Sequence, residues 1–125
     1  MKPPRTPQEE KQLDLIFAAL ADRTRRAILS ALCSGTRTVS ELAEPHQMSL
    51  PAISKHLKIL ERAGLVHKEK EGRIFRCDLR PEALTPAGDM ITFYQKFWES
   101  RFDALADYLA KTQEENPPSM PDNDS

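Results

Sequence analysis

Residues 48–65, M-S-L-P-A-I-S-K-H-L-K-I-L-E-R-A-G-L, constrain the fold more than any other stretch. They combine a helix start, a helix stop and two chemically opposed faces. Ser49 can cap the N-terminus, because its hydroxyl can accept from the free amides of the first turn. Pro51 falls in that first turn, where an absent N–H costs nothing. Gly64 follows the last periodic residue, as a left-handed C-terminal cap does. Ile53, Leu57 and Leu60 recur at i, i+4 and i+7 on one apolar side. At about 100° per residue, Pro51, Lys55, Lys58 and Arg62 fall on the other side. A helix held by one face and presenting lysines, an arginine and Ser54 on the other suits the DNA major groove.

The chain has 125 residues, the length of one ordinary domain, and is 39% apolar and 30% charged. It can therefore bury a core and stay soluble. The start, M-K-P-P-R-T-P-Q-E-E, has no apolar run behind its charges, so neither a signal peptide nor a membrane span is expected. A cytoplasmic, nucleoid-associated protein follows from that reading. The two cysteines, Cys33 and Cys77, form no CxxC or Cys/His cluster and do not suggest a zinc site. They read as small buried hydrophobes, with a disulfide or redox switch as the alternative.

A net charge of −1 argues by itself against a nucleic-acid binder. Its distribution argues the other way. Residues 1–21 balance, residues 22–80 hold twelve basic against seven acidic groups, and residues 81–125 hold three against nine. A basic middle beside an acidic end is expected when only one part meets phosphate.

Taken in order, residues 1–5 read as disordered, and a domain is expected over 6–112. Thr6 and Glu9 form a capping-box pattern with Pro7 between them, starting a helix with Leu13, Ile16, Phe17 and Leu20 on one face. Asp22 should cap a second helix over 23–34, ended by Gly35, with Ile28, Ala31 and Leu32 inward. Arg23, Arg25 and Arg26 at its start oppose the helix dipole, so phosphate contact or an acidic partner is needed to favour them. Thr38 and Glu41 form another capping-box pattern. That helix should end or kink near Glu44, because Pro45 disfavours helical geometry there. Two short capped helices with a tight connection make a helix-turn-helix pattern.

Residues 65–70 and 73–79 then flank Glu71-Gly72 as a β-hairpin, with Phe75, Cys77 and Leu79 alternating with Arg76 and Asp78. Gly72 can supply positive φ at the turn. Lys68, Lys70, Arg73 and Arg76 along it can deter edge-to-edge aggregation. Their place after a basic helix favours DNA-backbone contacts.

A last helix over 86–111 carries six of the eight aromatics, Phe93, Tyr94, Phe97, Trp98, Phe102 and Tyr108, with Met90, Ile91, Leu105 and Leu109. These cover more than one helical stripe. A small domain covers one side, so a second copy is expected on the other, with an aromatic ligand pocket as the alternative. Residues 113–125 read as a disordered tail.

The runs A-A-L-A-D-R-T-R-R-A-I-L at 18–29, V-S-E-L-A at 39–43 and S-K-H-L-K-I-L-E-R-A-G-L-V at 54–66 resemble the bacterial ArsR-type winged-helix repressors. The resemblance implies a mainly α fold with a two-stranded β-wing, ordered α-α-α-α-β-β-α and dimeric. It implies a homodimer built from the first and last helices, with Leu13, Phe17, Phe93, Tyr94, Phe97, Trp98, Phe102 and Leu105 at the contact. It also implies double-stranded operator DNA, an imperfect palindrome, as the partner. Ser49, Pro51, Ala52, Ser54 and Lys55 would approach bases or adjoining phosphates. Lys58, Arg62, Lys68, Lys70 and Arg73 would meet the backbone, and His56 is as readily structural as DNA-contacting.

Metal-sensing members place a Cys-x-Cys pair before the recognition helix, where this chain has Leu42-Ala43-Glu44-Pro45. Others use Asp and His on the last helix, which here has Asp89, Asp103 and Asp107 but no His. Soft or borderline metals need thiolate or imidazole, so the metal-independent branch is expected, with no cofactor and no inducer assignable. The alternatives are a thiol or metal sensor using Cys33 and Cys77, and a winged-helix module that binds protein. An enzyme is not expected: Ser54 and His56 are two apart on a helix and face different ways.

Overall fold

The computed structural model describes residues 5–115, and the chain divides into two units after Gly88. Most of the expected disordered ends, residues 1–4 and 116–125, lies outside the described residues. Arg5 is described, 3.7 Å from Glu10, and the last helix runs to Glu115, three residues into the expected tail.

The first unit begins with α1 (Pro7–Leu20) and α2 (Arg23–Leu32). A short strand β1 (Arg37–Thr38) leads to α3 (Val39–Ala43) and a 3-10 turn at Glu44–His46. Then follow α4 (Leu50–Arg62), β2 (Val66–Glu71), β3 (Ile74–Leu79) and a second 3-10 turn at Pro81–Leu84. The helix α5 (Thr85–Glu115) starts in this unit and makes up the described part of the second.

Local chemistry fixes most boundaries. Thr6 Oγ1 accepts from the Glu9 amide at 3.1 Å, and Asp22 accepts from the Arg25 amide at 3.0 Å. Thr38 and Glu41 make a complete reciprocal box: the Glu41 amide donates to Thr38 Oγ1 at 3.1 Å, and the Thr38 amide donates to Glu41 Oε1 at 2.8 Å. The Thr38 amide bonded to the carboxylate is the main reason Glu41 is held below the usual glutamate range, with the Thr38 side chain second. α3 ends at Ala43, near the place expected, but Glu44 keeps helical angles (φ −53°, ψ −50°) despite the proline after it, so the chain tightens into the 3-10 turn and closes with Gln47 left-handed at φ 52°.

The expected two-stranded wing is present as β2 and β3, and β1 extends it to a three-stranded sheet in the order β1-β3-β2, antiparallel throughout. Arg37 pairs with Cys77 and Thr38 with Arg76 on one side of β3; Lys68 pairs with Cys77 and Glu71 with Ile74 on the other. Gly72, at φ 64°, takes the left-handed place in the turn.

The core joins Leu13, Ile16 and Ala19 of α1, Ile28, Leu29 and Leu32 of α2, and Ile53, Leu57 and Leu60 of α4. Leu42, Ala43, Ala63, Leu65, Val66, Cys77 and Ala87 complete it. Leu29, not Ala31, is therefore inward on α2. Leu13, expected at a dimer contact, is 2% exposed within its own unit, whereas Phe17 is 38% exposed. The reason is angular: Leu13 and Ile16 share the face toward α2 and α4, and Phe17 lies one residue past it.

Candidate nucleic-acid interface

α4 is built and held as a presenting element. Ser49 Oγ accepts from the Ala52 amide at 3.2 Å and Pro51 occupies the first turn. At the other end Gly64, at φ 76°, donates to the Glu61 carbonyl at 2.9 Å and Leu65 to the Leu60 carbonyl at 3.0 Å. That pair of bonds is a Schellman stop. Gln12 of α1 reaches across and donates to the Ala63 carbonyl at 2.8 Å. Ile53, Leu57 and Leu60 have no exposed surface, while Pro51, Lys55, Lys58 and Arg62 on the other side are exposed. Ser49 is exposed at the start; Ala52 and Ser54 are half-buried on the flanks.

His56 does not belong to that exposed set. Its Nδ1 lies 3.2 Å from Arg25 Nη1 and 3.7 Å from Asp22 Oδ2. Both contacts cannot use Nδ1 in one protonation state. A guanidinium only donates, so the shorter contact, to Arg25, uses Nδ1 as its acceptor. The ring is therefore an anchor between α4 and the start of α2.

The arginines at the start of α2 have a different partner from either expected. Arg25 donates through Nε to the Ala19 carbonyl and through Nη2 to the Ala18 carbonyl, each at 2.9 Å. Arg26 donates to the Leu20 carbonyl at 2.8 Å. These are the last carbonyls of α1, where helix termini lack internal partners and cations are favoured. Arg25 and Arg26 thus cap the preceding helix, and neither phosphate nor an acidic helix is needed to account for them. Arg23 is exposed.

On the wing, Lys68 is 3.8 Å from Glu61 of α4 and 5.0 Å above the Phe75 ring. Lys70 lies 5.8 Å above the same ring. Arg76 donates to Glu71 at 2.6 Å, so part of the wing charge is neutralised locally. Arg73 stands exposed at the turn. Phe75 is 41% exposed, contrary to the inward place expected from its alternation, whereas Cys77, two residues on, is fully buried. Beside the wing, Thr38, Ser40, Leu50, Ser54, Lys68, Arg73, Ile74 and Phe75 border a cleft of about 490 Å³.

Residues 22–68 match the family model described as bacterial regulatory protein, arsR family. The chain is 40% identical over 98 residues to the HTH-type transcriptional regulator Rv2034 of Mycobacterium tuberculosis, spanning 77% of this chain and 87% of that protein. The chain belongs to the arsR family. It is also 34% identical to the transcriptional repressor SdpR of Bacillus subtilis, over 65% of this chain and 91% of that protein. A crystal structure of an ArsR family transcriptional regulator superimposes with TM-score 0.71 at 42% identity, covering 78% of this chain and 98% of that one. An ArsR-like regulator from Rhodococcus sp. RHA1 gives 0.65 at 32% identity, covering 79% and 93%.

This ArsR-family chain is thus a DNA-binding transcriptional regulator with a winged-helix fold, and its relatives are named as regulators rather than enzymes. Ser54 borders the cleft beside the wing while His56 faces Arg25, so the two do not converge. In the described residues no helix is long and apolar enough to cross a membrane.

The second unit contributes an exposed apolar surface. On α5, Phe93, Tyr94, Phe97, Trp98, Phe102 and Leu105 are 44–63% exposed. Phe97 and Trp98 meet edge to face at 5.8 Å between centroids, and Arg101 lies 5.0 Å above the Phe97 ring.

The cysteines separate. Both thiols are unpaired, with Cys33 exposed at the end of α2 and Cys77 fully buried in β3. The expectation of burial therefore fails for Cys33, which falls outside the inward face of α2. Burial pushes the Cys77 thiol up to about 11, with Lys68 acting the other way. A thiol so protonated is a poor nucleophile and metal ligand. Among the described residues no group of three or more His, Cys, Asp or Glu side chains could hold a metal ion.

Proposed function

We propose that this chain acts as a homodimeric repressor that binds an inverted-repeat operator and releases it by a signal other than metal. The observation that carries the reading is the division of α4: Ile53, Leu57 and Leu60 have no exposure, and Lys55, Lys58 and Arg62 stand exposed on the opposite side. Such a helix can enter the major groove without disturbing its own support. Ser49, Pro51, Ala52, Ser54 and Lys55 approach bases or adjoining phosphates. Lys58 and Arg62 meet the backbone with Lys70 and Arg73, and Lys68 does so in competition with Glu61. His56 acts as a positioning residue instead of a reader.

The homodimer accounts for α5. A row of large apolar side chains about half exposed exceeds what a monomer ordinarily leaves in water, and a second copy is the simplest cover. Phe17 joins this contact set; Leu13 is removed from it by its burial. Metal independence is supported by the donor chemistry: there is no thiolate in Leu42-Ala43-Glu44-Pro45, and Cys77 is a buried, protonated thiol. A redox sensor pairing Cys33 with Cys77 has only Cys33 within reach of solvent.

Hydroxyl-radical footprinting on the DNA upstream of the coding sequence tests this. Two protected half-sites centred about 10–10.5 base pairs apart, or a multiple of that, are expected. A single unpaired footprint, or none at low salt, would refute it.

A further inference from the structure

Beside the wing, three large apolar side chains stand exposed around one cleft: Leu50 at 51%, Ile74 at 48% and Phe75 at 41%. All three border the cleft between the start of α4 and the wing, with the hydroxyls of Thr38, Ser40 and Ser54 and the cations Lys68 and Arg73 around them. Phe75 already has an occupant, since Lys68 and Lys70 lie over its ring at 5.0 and 5.8 Å. Leu50 and Ile74 have none of that kind.

Leu50 is not there for the core, which Ile53, Leu57 and Leu60 complete without it. Nor does the helix start require it, because Ser49 supplies the cap and Pro51 the fixed backbone angle. Leu50 is the first residue of α4, and a helical side chain leans toward the N-terminus. In recognition helices that is the end that contacts base edges. A leucine can make no hydrogen bond there. The apolar group that the major groove displays is the C5-methyl of thymine.

We propose that Leu50, with Ile74 across the cleft, reads the methyl group of a thymine in each operator half-site. The inference rests on α4 being the reading helix. Arg73 and Lys68 at the same cleft match the charge of the strand that carries the base, so the apolar step is continuous with the surface that binds DNA. Leu50 then sets specificity, and the lysines of α4 set affinity.

The test uses the full chain and duplex sites selected from random DNA. Each thymine of the selected site is replaced in turn by deoxyuridine, which removes only the methyl. Wild type should lose about fourfold in affinity at one thymine per half-site, the effect of one buried methyl group. Leu50→Ala should bind the thymine and uracil sites equally while keeping its fold, since the side chain is exposed. Wild type insensitive at every position, or Leu50→Ala with undiminished methyl discrimination, overturns the inference and leaves α4 as the reader. Failure to select any DNA overturns both. Methyl-blind binding together with anilinonaphthalene sulfonate bound by wild type and lost in Leu50→Ala also overturns it, and makes the cleft a pocket for an apolar anion.

Discussion

Arg25 Nη1 lies 3.2 Å from His56 Nδ1, and the same guanidinium donates to the Ala18 and Ala19 carbonyls at 2.9 Å. One side chain thus joins the end of α1, the start of α2 and the middle of α4. Removing it takes a donor from the Ala19 carbonyl and from the ring nitrogen, while the Ala18 carbonyl keeps the Ala21 amide at 3.2 Å. Arg25→Ala should cost about 2 kcal/mol in urea denaturation, the range for hydrogen bonds to a charged group. Arg25→Lys should not restore it, because an ammonium cannot reproduce the planar fork. Full stability in Arg25→Lys would show that charge alone matters there.

Asp22 sets an acid limit on the fold. The Arg25 amide bonded to its carboxylate, and then the charge of the Arg25 guanidinium, hold Asp22 below its ordinary value of 3.8, although partial burial opposes them. The folded state therefore keeps this carboxylate ionised to lower pH than the unfolded chain. Its contribution is complete above 3.8 and is lost as pH falls through the lower, folded value. Asp22→Asn retains a good cap, so its stability should be lower near neutrality and should lose this part of the acid dependence. Identical pH profiles for the two proteins would remove Asp22 from the account.

The cysteines should respond separately to a thiol reagent. Native protein should label rapidly at Cys33, and Cys77 should react only after denaturation, since it is buried with its thiol near 11. Peptide mapping after labelling distinguishes them. Rapid native labelling of Cys77 would mean that β3 opens readily, and would reinstate a sensor role for it.

The aromatic face of α5 should govern association. Phe97→Glu or Phe102→Asp should give a monomer by sedimentation, with the first unit still folded because neither residue belongs to its core. DNA affinity should fall steeply, since each copy then binds a half-site alone. A monodisperse monomer in the wild type at tens of micromolar would exclude the homodimer.

What could be read in the sequence was mainly local. Thr6, Asp22, Thr38 with Glu41, and Ser49 each act within three residues of themselves, so their caps follow from spacing. Gly64 and Gly72 mark positive φ for the same reason. Long-range partners carried no such signal. β1 is two residues long, too short for a period, and its mate in β3 is about forty residues away. Arg25 and Arg26 looked misplaced on α2 because their true partners belong to the preceding helix. For His56 the sequence leaves anchor and DNA contact equally open, because a histidine beside an apolar face can do either, and nothing in the type or spacing of Leu50 marks it as exposed. Only the neighbours reveal that the first is an anchor and the second is exposed.

The most direct test of the central claim is a salt titration of DNA binding by wild type and the Lys55→Glu/Lys58→Glu variant on the chain's own upstream DNA. If a dimer neutralises about eight phosphates, log K for wild type should fall against log[salt] with a slope near −7. The variant should remain a folded dimer and show no specific binding. A variant that binds with the wild-type slope and affinity would contradict the claim that the exposed face of α4 holds the DNA.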